Sequence, residues 1–522
     1  MYLHSFLDYW ARVQPDAEFA VQQDRRMTYG EARAAVNQLA NALIGAGLQI
    51  GDRLAILSKN SIEYVLLYFA ASKAGVVPVP LNYRLAPAEW AYILNDAGAK
   101  LLIVESGFMD AISSVRGELQ TVKSFVVTDG IETPDWDIYS QWVAAQPITS
   151  PEQDISENHE LYQMYTSGTT GHPKGAVLTH RAVIANLVQI GMLLKVQAGE
   201  RLLLTMPLFH SGGANVVAFQ SVYGGGSLYV QADFTPVEVI RALSEERIHV
   251  ATLVPAMIQS CLMTVPDIAQ RHYEDLRLIA YGASPIAEPT LRRAMEVFKC
   301  DFLQGYGMTE TTVLMACLLP ADHQRALREK PALLLSAGRP LAGTEVRIVD
   351  ADDTPASNGT IGEIVARGPQ LMKGYWHRPE ATAETLRGGW LHTGDAGVVD
   401  DEGYIYIQDR VKDMIVSGGE NVYPRVIEEV LFQHPAVADA AVIGVPDERW
   451  GETVKAIVVL RQGMTATTED IMEFCRGKLG GFERPRSVDF IAALPRNPSG
   501  KVLKRVLREP YWAGQQRRVA GA

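Results

Sequence analysis

The sequence predicts an α/β protein in two parts. A large N-terminal domain of doubly wound sheets ends in a small β unit, and a small α+β C-terminal domain follows. Three observations carry this prediction. Short apolar runs alternate with amphipathic helical stretches from residue 29 to about 300, the signature of βα units. From residue 344 the strand patterns are divided by Gly and Asp turns with no helix between them. The pattern changes again near residue 410, and 522 residues exceed what one compact core holds.

Taken in order, residues 29–46 place apolar side chains at helical spacing, with Gly47 as the stop signal. Apolar runs at 54–57, 77–81, 101–104 and 125–127 read as strands, with helices at 62–74 and 87–97 between them. Residues 130–157 are polar and read as an irregular surface connection. Strands are expected again at 202–205, 227–230, 250–254 and 278–280, separated by helices at 236–246 and 288–298. The β unit should use 345–349, 363–366 and 404–407. The C-terminal part should hold helices at 422–432 and 469–479 and strands at 439–443 and 454–460. These shifts divide the chain into domains 1–409 and 410–522.

Composition excludes several classes. A net charge of −12 argues against nucleic acid as partner. Four scattered cysteines without a CxxC pair suit a reducing, cytoplasmic setting. The N-terminus lacks the basic region and apolar run of a secretory signal, and no apolar stretch reaches membrane-spanning length.

The chemistry concentrates in Tyr165-Thr-Ser-Gly-Thr-Thr-Gly-His-Pro-Lys-Gly175, which holds three glycines, four Ser/Thr hydroxyls and one lysine. Glycines let backbone N–H groups approach a ligand, successive N–H groups cradle anions, and hydroxyls and Lys174 add donors and charge. A polyphosphate needs all of these together. The stretch is not a Walker loop, because Lys174 is preceded by Pro173 rather than glycine and followed by Gly175 rather than Ser/Thr.

Seven further motifs follow in order: Gly282-Ala-Ser-Pro285, Tyr306-Gly-Met-Thr-Glu310, Gly374-Tyr-Trp376, Thr393-Gly-Asp395, Asp409-Arg-Val-Lys-Asp413, Gly418-Gly-Glu-Asn-Val-Tyr-Pro424 and Pro498-Ser-Gly-Lys501. Together they resemble the adenylate-forming superfamily of acyl-CoA synthetases, luciferases and adenylation domains, over almost the whole chain. Bacterial fatty-acyl-CoA ligases are the most similar branch. The resemblance implies two half-reactions. ATP and a carboxylic acid give an acyl-adenylate and pyrophosphate, and a thiol, here CoA, then displaces AMP.

The resemblance also implies roles. Thr166, Ser167, Gly168, Thr169, Thr170, Gly171 and Lys174 would hold the ATP phosphates, and Glu310 with the Thr170 hydroxyl would bind Mg2+, a cation that prefers oxygen ligands. Gly282, Ala283, Ser284, Tyr306, Gly307 and Thr309 would line the base pocket, and Asp395 and Arg410 would meet the ribose. Lys501 would bridge the acid and the α-phosphate. Asp409 matches the hinge of a mobile C-terminal domain, and Gly418, Gly419 and Glu420 match the wall of the pantetheine tunnel.

Two departures stand out. Val426 occupies the place of a usual glutamate, whose role would pass to Glu428 or Glu429, and Phe482-Glu-Arg-Pro485 replaces Tyr-Lys-x-Pro. Residues 476–508 carry a net charge of +7, leaving −19 on the rest. A solvated basic face, a dock for CoA phosphates and weak peripheral membrane contact all fit that bias.

The acid pocket is expected between residues 209–219 and 311–319. Neither segment carries a charge, so an amino acid's ammonium would be buried unpaired. Gly212, Gly213 and Ala214 should leave space, with His210 gating the thiol's route. A medium- or long-chain fatty acid is expected, with an aryl acid or a carrier-protein acceptor as alternatives. Monomer and homo-oligomer both stay open. A non-catalytic nucleotide sensor is disfavoured because Lys501, Glu310 and Asp395 are all present.

Overall fold

The structure is a computed structural model. It describes residues 1–130, 134–166, 173–284, 286–410, 413–417, 420–447, 449–476, 478–496 and 502–513, without the side chains of residues 409, 410, 420 and 421. A large N-terminal domain of sheets is followed by a smaller C-terminal domain.

The largest sheet has nine strands in the order Arg339–Pro340, Ala316–Leu318, Asp301–Tyr306, Leu278–Gly282, Ile248–Leu253, Arg201–Leu204, Ser227–Val230, Glu18–Gln22 and Arg25–Thr28. Its six middle strands run parallel and its ends turn antiparallel. A second sheet is wholly parallel, in the order Val77–Pro80, Arg53–Leu57, Leu101–Val104, Ser124–Val127 and Asp137–Ile138. Parallel strands need covering on both faces. The helix Ile62–Ala74, with twelve of its thirteen residues buried, lies in the core that joins the two sheets.

The expected β unit is a four-stranded antiparallel sheet of Glu345–Val349, Gly362–Arg367, Leu391–Val399 and Ile405–Arg410. In the C-terminal domain, Val437–Asp447 and Gly451–Leu460 form a long hairpin that packs with the helix Pro424–Leu431 around Val442, Val454, Ile427 and Leu431. Among the described residues no helix is long and apolar enough to cross a membrane.

Three expectations need correction. Residues 130–157 are not wholly irregular. Trp136, Tyr139 and Val143 are buried, and they anchor the edge strand Asp137–Ile138 and the helix Tyr139–Ala144. The helix expected from residue 422 starts at Pro424, because Val422 closes the strand Glu420–Val422. The helix expected to reach residue 479 spans Thr468–Phe474.

Glu428 and Glu429, which follow Val426 on the same helix, both have partners. Glu428 accepts the Val442 N–H at 2.8 Å and pairs with Lys504 at 2.9 Å, while Glu429 pairs with Arg425 at 3.2 Å. Four of the nine basic residues of the segment pair with acids outside it, Lys504 with Glu428 among them. Arg496 pairs with Asp439, Arg508 with Asp413 and Arg476 with Glu473.

Candidate active site

The glycine-rich stretch connects two described strands. Strands Glu160–Thr166 and Lys174–Thr179 pair antiparallel, with Thr166 opposite Lys174 at the mouth. Ser167, Gly168, Thr169, Thr170 and Gly171 lie outside the described residues. A third short strand, Gly374–Tyr375, pairs alongside with Tyr375 opposite Ala176, and the Trp376 N–H donates to the Gly175 carbonyl at 2.8 Å.

At this mouth the side chains converge on Glu310, a buried carboxylate 4% exposed. Its Oε1 accepts the Tyr375 hydroxyl at 2.7 Å and the Thr166 hydroxyl at 3.4 Å. Its backbone carbonyl accepts the Met372 N–H at 2.8 Å. The Lys174 ammonium sits 5.1 Å from the Tyr375 ring centroid. Thr166, Lys174 and Glu310 were all readable from the motifs. Tyr375 was not assigned a role, although it stands inside the quoted Gly374-Tyr-Trp376. An oxygen-rich carboxylate beside a hydroxyl and a polyphosphate-type loop fits a hard divalent cation.

A second group forms at the C-terminal ends of adjacent parallel strands. Gly282 pairs with Gly305, and a methyl at Gly282 would meet the Gly305 carbonyl oxygen at 2.3 Å, so only glycine allows this approach. Ala283 follows with φ 66°, a conformation that costs a non-glycine residue energy and recurs at binding sites. Ser284 completes the segment. On the neighbouring strand the Tyr306 hydroxyl donates to Asp395 Oδ2 at 2.8 Å, both side chains being buried. Gly307 and Thr309 continue from that strand into the turn before Glu310. Asp395 pairs through its backbone with Arg410 across the antiparallel sheet.

His210 lies in a separate aromatic group. Its ring centroid is 4.5 Å from that of Phe209, which packs edge-on against Tyr83 at 5.4 Å. Burial, reinforced by the charge of Arg84, pushes the imidazole down to about 4, so it is neutral near pH 7. Its Nε2 is buried with no hydrogen-bond partner among the described residues. Next comes a π-helix, Gly212–Phe219, a form common at functional sites.

The expectation of space here holds only in part. A methyl at Gly213 would meet the Pro207 carbonyl oxygen at 2.3 Å, so that glycine serves close packing, and Ala214 is fully buried. In the second expected wall, Met315, Ala316, Cys317 and Leu318 are core residues.

Lys501, Gly418 and Gly419 lie outside the described residues. Glu420 is placed by its backbone, in the strand paired with Ser417. Arg496 and Val502, on either side of the stretch that includes Lys501, form an isolated antiparallel bridge.

Comparison with known proteins agrees with this geometry. Residues 7–376 match the AMP-binding enzyme family and residues 426–501 its C-terminal domain. The chain is 37% identical over 514 residues to a fatty acid–[acyl-carrier-protein] ligase of Streptomyces coeruleorubidus, covering 98% of this chain and 96% of that one. It is 39% identical over 505 residues to a long-chain-fatty-acid–CoA ligase of Mycobacterium tuberculosis, with 96% and 97% covered. Its structure superposes on an anthranilate CoA ligase in complex with anthranoyl-AMP with a TM-score of 0.89 at 28% identity, over 98% and 97% of the two chains. The chain therefore belongs to the adenylate-forming superfamily of AMP-binding enzymes and is an AMP-forming ligase.

Proposed function

We propose that the protein is a carboxylate–CoA ligase acting on a medium- or long-chain fatty acid in the cytoplasm. The observation that carries the ligase reading is the pair of hydrogen bonds from Thr166 and Tyr375 to Glu310, with Lys174 beside the Tyr375 ring, between the strands that flank the glycine-rich stretch. In this reading the loop and Lys174 take the β- and γ-phosphates of ATP, with Glu310 and the Thr170 hydroxyl holding magnesium. When bound, the ion offsets the phosphate charge. Asp395 accepts hydrogen bonds from the ribose hydroxyls, Arg410 adds a donor there, and residues 282–284 with Tyr306, Gly307 and Thr309 enclose the base.

Lys501 brings positive charge to the approaching carboxylate and α-phosphate, where two anions would otherwise repel. Domains 1–409 and 410–522 turn about Asp409 between half-reactions, bringing Gly418, Gly419 and Glu420 to the thiol's route. A neutral His210 suits that route, since it adds no competing cation.

The uncharged, buried π-helix supports an apolar acid. A second reading, an aryl acid, draws on the Phe209, Tyr83 and His210 rings and on the likeness to the anthranilate enzyme. The test is AMP release with ATP, CoA and a series of straight-chain acids beside coumarate, ferulate, benzoate and amino acids. For an alkyl tail each methylene adds about 0.8 kcal/mol, so kcat/KM should climb up to roughly fourfold per carbon until the pocket fills. A flat series with an aryl acid far ahead would replace the fatty acid. Greatest activity on an amino acid would overturn the pocket itself. Turnover with acyl-carrier protein but not CoA would move the acceptor.

A further inference from the structure

We propose that Glu363 is the positioning residue for the turn that carries Asp395, so that its carboxylate governs how well the enzyme reads the ribose of ATP. The inference rests on the assignment of Asp395 to the ribose hydroxyls.

Glu363 stands on the strand Gly362–Arg367, opposite Ala396, where the register with Leu391–Val399 shifts. The shift is needed because Gly394 adopts φ 69°, a left-handed residue inside a strand. Such a residue turns its N–H out of the ladder, and a part-buried N–H needs an acceptor. Glu363 Oε1 supplies it at 2.9 Å. The other oxygen, Oε2, accepts from His392 Nδ1 at 2.8 Å and from the Arg387 guanidinium at 3.2 Å.

Thr393 completes the arrangement. Its hydroxyl donates to the Ile364 carbonyl at 2.6 Å and accepts the Asp395 N–H at 3.1 Å. Residues 392–395 are thus held from one neighbouring strand, leaving the Asp395 carboxylate against the Tyr306 hydroxyl.

Asp353, Glu363 and His392 also bring potential ligand atoms within 4.8 Å of one another, as a metal site would. Arg387 already spans the two carboxylates, at 2.9 and 3.0 Å to Asp353 and 3.2 Å to Glu363. The cation at this cluster is the protein's own, and the cluster acts as a support for the turn.

The test compares kcat/KM for ATP, 2′-deoxy-ATP and 3′-deoxy-ATP in the full-length wild type, E363A, E363Q, D395A and E363A/D395A, with a melting curve for each. A hydrogen bond to a charged acceptor corresponds to roughly tenfold or more in preference for ATP over the analogue that lacks the hydroxyl. E363A should lose most of that preference, chiefly through a higher KM for ATP with kcat little changed. E363Q keeps an acceptor for the Gly394 N–H but turns a donor toward His392 and Arg387, so it should fall between wild type and E363A. Adding E363A to D395A should cost no further preference, since coupled residues are not additive.

Proportionate losses on all three nucleotides in E363A, or an unchanged preference, would overturn the positioning role. If E363A does not fold, E363Q decides: undiminished preference overturns the proposal, intermediate preference sustains it. A wild type indifferent to both hydroxyls would remove the ribose assignment of Asp395, and the proposal falls with it.

Discussion

Tyr375 illustrates what a single hydroxyl contributes at the residue scale. It donates to Glu310 at 2.7 Å while its ring lies beside the Lys174 ammonium. Removing only the hydroxyl leaves the ring in place and takes from Glu310 its shorter hydrogen bond. Loss of such a supporting partner typically costs about 10–100-fold in metal affinity or activity. In Tyr375→Phe the magnesium concentration that half-saturates ATP–pyrophosphate exchange should rise by about tenfold, with the melting temperature little changed. An unaltered magnesium requirement would show that the hydroxyl does not support Glu310. Thr166, Lys174, Glu310 and Asp395 stood out because they lie in motifs that resemble those of the superfamily. Tyr375 and Glu363 did not, because orienting a carboxylate or a turn takes one hydrogen bond, which many residue types supply from many places.

Among the elements, the hairpin that presents the glycine-rich loop depends on a buried arginine. Arg53 opens the strand Arg53–Leu57 of the parallel five-stranded sheet. Its guanidinium pairs with Glu160, donates to Gln163 Oε1 at 3.2 Å and lies 3.5 Å from the Trp376 ring centroid. It therefore ties that sheet to the strand Glu160–Thr166 and to Trp376, which directly follows the strand Gly374–Tyr375. Arg53→Ala leaves the Glu160 carboxylate, whose side chain is 13% exposed, with Lys373 as its remaining ion-pair partner at 2.9 Å. Breaking a buried pair from one side costs about 3–5 kcal/mol. Urea unfolding should register a loss of that size, and a change below about 1 kcal/mol would contradict the assigned role. Most of the parallel strands were legible from their apolar runs, though Glu18–Gln22, Asp137–Ile138 and Asp301–Tyr306 were not, and the helix Ile62–Ala74 was read from its place between two strands. The helix His180–Leu194 was not expected, although it follows directly on the strand Lys174–Thr179. The edge strand Arg25–Thr28 was missed because its exposed arginines hide the alternation.

Over the whole molecule, two domains, a net charge of −12 and the family chemistry were readable from length, composition and motif order. The response to acid was not, because it depends on which histidines the fold buries. His180 is 1% exposed and is the first residue of the helix His180–Leu194, where the positive end of the helix dipole opposes a second positive charge. Burial foremost, then His4 and His159, pushes it down to about 3. Burial and the Lys73 ammonium push His4 down to about 4, and burial with Arg84 does the same to His210. In each case the native state refuses a proton that the unfolded chain accepts near pH 6.5. Stability from these groups is therefore fully present above pH 6.5 and is lost as the pH falls toward 4. Glu429 works the other way, since burial raises its carboxyl and acid relieves it. One group contributes about 1.4 kcal/mol per pH unit below its unfolded value. Because the unfolded histidines are half protonated already at pH 6.5, the three together should withdraw about 3 kcal/mol between pH 6.5 and 5.5. His180→Asn cannot take up the proton, so its loss over the same interval should be smaller by about a third. The measurement is urea unfolding of both proteins at the two pH values. Equal slopes for wild type and variant would remove His180 from the account, and a wild type with no loss would remove all three.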